Sequence, residues 1–123
     1  MERLDNLRPL ILFLSGIFGA MGVALAAAAS HGPDSRLLGS ASTMCLVHAP
    51  ALVALCAAHR HLRTSTPAAL VLALGTLLFA GDLVSRHFLG SGLFPMSAPT
   101  GGMTMMLGWL LVAAGAFFRQ SGR

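Results

Sequence analysis

Four apolar stretches, each long enough to cross a membrane, constrain this chain more than any motif in it. They cover residues 9–29, 40–58, 68–90 and 100–118. Each is close to the ~20 residues a helix needs to span a hydrocarbon core about 30 Å thick. Backbone groups in lipid must bond one another, so such segments have to be helical. Charged residues make up 10% of the 123-residue chain and hydrophobic residues 55%. Soluble domains carry roughly 25% charged residues, and one of this size could not hide so much apolar surface. The connections "SHGPDSRLLG", "HRHLRTSTP" and "SGLFPMSAP" are short and punctuated by Gly, Pro and Ser. Short connections make consecutive helices antiparallel neighbours. The expectation is an all-α integral membrane protein, a single transmembrane domain over residues 1–123 built as a four-helix antiparallel bundle.

The first stretch has a rival reading. "MERLDNLRP", an apolar run and "AAAAS" imitate a secretory signal with a small-residue cleavage site. Signal cores are about 7–15 residues, shorter than this run, and the leading segment carries Glu2 and Asp5. It is read as a retained helix. Arginine counting then gives the orientation. Arg3, Arg8, Arg60, Arg63, Arg119 and Arg123 fall on one side, and Arg36 and Arg86 on the other. Loops rich in arginine stay inside, so both termini and the "HRHLR" loop are expected in the cytoplasm. His59 and His61 then sit at the interface, with no cysteine or carboxylate near them in sequence to suggest a metal. Arginines scattered singly or in pairs also exclude a nucleic-acid face.

Within the first helix, Ser15–Gly19, Gly16–Ala20 and Gly22–Ala26 are small-xxx-small pairs that allow close helix approach. Pro50 in the second removes one backbone bond and should kink it. Cys45 and Cys56 are 11 residues apart, about 16 Å on a helix, too far to form a disulfide with each other.

Four short motifs occur in order: "ASHG", "VHAPALVAL", "LLFAGDL" and "APTGGMTMMLGW". Together they resemble the DUF423 family of small bacterial membrane proteins, also called UPF0382. The family's pattern is similar to G-A-H-G, H-A-L, F-S-G-S-L-Y, T-P-x-G-G and G-W. It falls on His31 and Gly32, His48 and Ala49, Phe79 and Gly81, then Pro99, Gly101, Gly102, Gly108 and Trp109. Ser30, Pro50, Asp82, Val84 and Ala98 depart from it, Asp82 standing where serine is usual. The resemblance implies four transmembrane helices and a bacterial inner-membrane location, and no particular activity.

The candidate site is a polar cluster of His31, His48, Asp82 and Arg86. His48 lies 8 residues inside the start of its segment and Asp82 8 before the end of its own. Both are then about 12 Å deep, where they could meet. Arg86 follows Asp82 at the (i, i+4) spacing that lets side chains touch. Ionisable groups at such depth face the bundle interior and pair. The preferred reading is a structural clasp in which Asp82 bonds Arg86 and His48. A proton relay through His48, Asp82 and His31 is the second reading. A metal or haem site using Cys45, His48 and Asp82 is the third. Met103, Met105 and Met106 suggest copper(I), but thioethers pack cores more often than they bind metal. "PTGG" reads as a helix start whose glycines expose backbone N–H groups, and Trp109 as a residue packed beside Gly108.

No phosphate loop, activated nucleophile or carboxylate pair is present. The expected function is a non-catalytic accessory or structural component of the inner membrane, with no metal or cofactor. Its partners would be the lipid bilayer and either a second copy or a membrane subunit. The alternative is a small homo-oligomeric transporter or channel.

Overall fold

The computed structural model describes residues 6–32 and 35–118. Among these, four helices follow one another: α1 (Arg8–His31), α2 (Arg36–Ala57), α3 (Ser65–Leu89) and α4 (Ser97–Ala114). A 3₁₀ turn, Gly115–Phe117, prolongs α4. All four are long and apolar enough to cross a membrane. Pro9 stands in the first turn of α1, where its missing N–H removes no helix bond. Gly90 ends α3 with a φ of 82°, and its N–H returns to the Arg86 carbonyl at 3.1 Å. A left-handed closing residue is where glycine avoids the strain of a side chain. α2 runs through Pro50 as one unbroken helix.

The large interfaces join consecutive helices, while α1 and α3 touch only lightly. Polar side chains and glycines set the close approaches. Ser15 Oγ donates to the Ala49 carbonyl at 3.1 Å, and Ser42 Oγ to the Gly22 carbonyl at 2.7 Å. A Cβ on Gly22 would stand 2.6 Å from Leu46 Cγ, so α1 lies directly on α2 there. The second hairpin repeats the device, with Gly108 of α4 on Leu72 of α3. Backbones come closest at Gly75 and Gly101, where a Cβ on either would meet the other's carbonyl at 2.8 Å. In lipid, where apolar side chains gain nothing by leaving solvent, such backbone proximity supplies the packing contacts.

The seam between helices holds Ile11, Phe18, Leu38, Leu52, Ala68 and Leu72, all buried. Leu10, Phe13, Val23, Leu89 and Leu110 point outward and are exposed. A water-soluble bundle would reverse this large apolar surface; a bilayer solvates it. Cys45 and Cys56 are both buried and free. The arginine side of the topology that includes Arg3, Arg119 and Arg123 lies partly outside the described residues.

Candidate functional site: two polar ties between helices

Three of the four helices begin three or four residues earlier than hydropathy suggests: α2 at Arg36, α3 at Ser65 and α4 at Ser97. The added residues are 36–39 (Arg-Leu-Leu-Gly), 65–67 (Ser-Thr-Pro) and 97–99 (Ser-Ala-Pro), where Gly, Pro and polar residues interrupt the apolar run while the helix continues. His48 is therefore 12 positions into α2, about 18 Å along its axis, while Asp82 is 7 from the end of α3, about 10 Å. The two are at different depths, and the structure places them in separate arrangements.

Asp82 is fully buried and is used up by its own end of the fold. Its Oδ2 accepts Arg86 Nε–H at 2.8 Å, and its Oδ1 accepts the backbone N–H of Leu93 at 2.9 Å. Arg86 is 46% exposed, so much of its side chain lies outside the bundle while its Nε–H stays on the carboxylate. Gly92 lies directly against the Asp82 carboxylate and the Arg86 guanidinium, where a Cβ would collide with Asp82 Oδ1. Ser85 Oγ donates to the Ser91 carbonyl at 2.6 Å, and Ser97 Oγ to the Leu78 carbonyl at 3.2 Å. These bonds fold residues 90–96 back onto the end of α3. A backbone N–H turned toward the protein needs an acceptor there, because otherwise it is left unsatisfied. Asp82 supplies it, and Arg86 balances the charge. Leu93 and Gly92, absent from the sequence-based site, complete this knot. The signal available was a glycine-flanked loop ten residues beyond a lone intramembrane carboxylate.

His48 is 3% exposed and bonds elsewhere. Trp109 Nε1–H donates to His48 Nε2 at 3.1 Å, and His48 Nδ1 lies 2.9 Å from the Met44 carbonyl. An indole N–H can only donate, so Nε2 carries the lone pair and Nδ1 carries the proton given to Met44. Both ring nitrogens are occupied in this arrangement. Trp109, like His48, is 12 positions into its helix, and both helices start from the same side. The two rings meet at one depth, with centroids 5.8 Å apart. They close the floor of a cleft of about 610 Å³ between α2 and α4, lined also by Met44, Phe79, Gly102, Met103 and Met106.

His31 is exposed at the end of α1, apart from both ties. The four candidates thus form one pair, one residue bonded to Trp109, and one exposed terminus. Cys45 faces a different groove, between α1 and α3, from the cleft that His48 lines. No group of three His, Cys, Asp or Glu side chains is placed to hold a metal among the described residues. The "PTGG" glycines also differ from expectation. Thr100 N–H already bonds the Met96 carbonyl at 2.9 Å, so Gly101 and Gly102 lie inside α4 rather than at a free helix start. Gly101 serves the α3 contact, Gly102 faces open space, and Gly108 packs on Leu72. Pro99 sits in the first turn of α4, Gly81 faces Leu93, and Gly32 follows the last residue of α1.

No curated protein and no solved structure matches the chain. A protein family does match it, over residues 12–102, and its description is "Protein of unknown function (DUF423)". The matched span includes His31, His48, Asp82, Arg86 and the Gly101–Gly102 pair and ends before Trp109. It covers most of the 123 residues, and with four membrane-length helices in the expected order, the chain belongs to the DUF423 family.

Proposed function

We propose that this protein is a non-catalytic structural or accessory component of the bacterial inner membrane. It works within the lipid bilayer beside a second copy or another membrane subunit, with both termini cytoplasmic. The observation that carries this reading is the commitment of its intramembrane polar groups. Asp82 is bound to Arg86 and Leu93, and both nitrogens of His48 are bound to Trp109 and Met44. Chemistry on a substrate needs a donor, acceptor or ligand left over, and a relay needs polar groups that hand on to one another. Here the polar groups close on themselves at two depths. A protein whose polar groups serve its own helices offers other proteins a stable shape and an apolar surface.

Proteoliposomes test this directly. Purified protein in sealed vesicles should leave an imposed proton gradient decaying at the rate of protein-free vesicles. Faster decay that His48→Phe abolishes would replace this reading with the homo-oligomeric transporter.

A further inference from the structure

Where α1 begins and α2 ends, two basic side chains carry nitrogen atoms that are shielded from solvent and bonded to nothing. These are Arg8 Nε and His59 Nδ1. The Ser15–Ala49 and Ser42–Gly22 bonds fix the register of this hairpin. Continued to its end, the same antiparallel register brings Arg8 level with Cys56, the residue three before His59 in sequence. Beside Arg8 is an open pocket of about 380 Å³ lined by Asn6, Arg8, Pro9 and Leu12. It is polar at the Asn6 and Arg8 end. Leu12, one turn deeper, is 49% exposed and continues it as an apolar track on the lipid-facing surface. The exposed Arg60 and Arg63 follow in the adjoining loop. Asp82 is the only carboxylate side chain among the described residues, and it belongs to the opposite end of the bundle; Glu2, Asp5 and Asp34 lie outside the described residues.

We propose that this pocket binds the headgroup phosphate of an anionic phospholipid, with an acyl chain laid along Leu12. A shielded guanidinium N–H without a partner is unfavourable, and a phosphate oxygen is the acceptor that best satisfies it. Arginine presents its donors as a planar fork matched to phosphate. Basic residues at a membrane surface also concentrate anionic lipid around them. Free phosphate would satisfy the same fork but has nothing to place on the Leu12 track. A lipid satisfies both halves of the pocket at once. The inference requires a membrane-spanning bundle and holds whichever side this end faces.

Native mass spectrometry of the full chain, released from detergent with phosphatidylglycerol or phosphatidylcholine added, reads out the binding. Wild type should retain phosphatidylglycerol in preference to phosphatidylcholine, and added inorganic phosphate should not displace it. Arg8→Gln should weaken phosphatidylglycerol binding about tenfold, the loss of one charge-assisted bond. Arg63→Gln, which alters an exposed arginine, should change it by less than about threefold. Arg8→Lys keeps the charge without the fork and should fall between wild type and Arg8→Gln; it serves alone if Arg8→Gln does not fold. Equal retention of the two lipids, or loss in Arg63→Gln equal to that in Arg8→Gln, would overturn the proposal. So would unchanged binding in the Arg8 variants. Displacement by inorganic phosphate would assign the pocket to a free anion instead of a lipid.

Discussion

His48 and Trp109 are 61 positions apart in the chain, yet each stands 12 positions into its own helix, and one hydrogen bond of 3.1 Å joins them. The helices that carry them are not sequence neighbours and share no large interface. The bond is therefore a specific link between α2 and α4 across the cleft that separates them. It also has a built-in reporter, because the chain contains one tryptophan and no tyrosine.

Removing the acceptor should be visible in that reporter. His48→Phe leaves the indole N–H of Trp109 without a partner while retaining a ring of similar size. Emission from Trp109 should move to shorter wavelength, since a bonded indole N–H stabilises the excited state. Thermal stability in detergent should fall by about 1–3 kcal/mol, the usual cost of an unsatisfied buried donor, and less to the extent that Trp109 is 42% exposed. An unchanged spectrum would show that the two rings do not meet in solution.

The Asp82 knot separates charge from hydrogen bonding. Asp82→Asn retains an oxygen for the Leu93 N–H but gives up the ion pair with Arg86. Asp82→Leu removes both and strands the Leu93 N–H. Breaking a buried pair from one side costs about 3–5 kcal/mol, reduced here because Arg86 can turn to the membrane surface. Melting temperatures should rank wild type, then Asn, then Leu. Leucine as stable as asparagine would mean the loop does not depend on this acceptor.

Gly92→Ala tests the same knot from the loop. The added methyl would collide with Asp82 Oδ1, so either the carboxylate or the loop must move. A loss of about 1–3 kcal/mol is expected, as for other overpacked positions. In the Asp82→Asn background the same substitution should cost a different amount, because the two residues touch.

Neighbouring glycines in α4 should respond in opposite directions. A Cβ on Gly101 would stand 2.6 Å from Phe79 N, whereas one on Gly102 meets nothing within 4 Å. Gly101→Ala should push α3 and α4 apart and lower the melting temperature. Gly102→Ala adds no clash and favours the helix by about 0.5–1 kcal/mol. Equal effects would place the tight crossing elsewhere.

Topology can be read with reporter fusions. A fusion after Arg36 should report periplasm and one after Arg63 cytoplasm, following the arginine bias. The reverse pattern, or cleavage of the chain after Ala29, would overturn the proposed orientation.

Much of the architecture was legible because lipid leaves so few structures open to a long apolar run. The Asp82–Arg86 pair was legible too, since (i, i+4) contact is decided within one helix. His48 was different. Its depth depended on where α2 begins, and the stretch from Arg36 to Gly39 lies before the apolar run by which the helix was recognised. The four-residue difference moved His48 by more than a turn, past Asp82 and level with Trp109. The bond to Trp109 depends on two non-consecutive helices coming together, which no local pattern encodes. Gly101 and Gly102 show the same limit: identical neighbours in sequence, they differ only in which face of α4 meets α3.

The engagement of Trp109 in the middle of a span also bears on how the protein rides in its membrane. Many membrane proteins set their vertical position with tryptophan and tyrosine rings held at the two headgroup layers. This chain has no tyrosine, and its only indole is tied to His48 at mid-span. What remains near the surfaces are arginines such as Arg8, Arg60 and Arg63 at one end and Arg86 at the other. An arginine reaches water on a flexible stem over several ångströms, where an interfacial indole would hold to one level. The adjustment of such a bundle to a change in bilayer thickness then falls to its arginine stems, and mismatch of this kind costs only fractions of a kcal/mol per ångström.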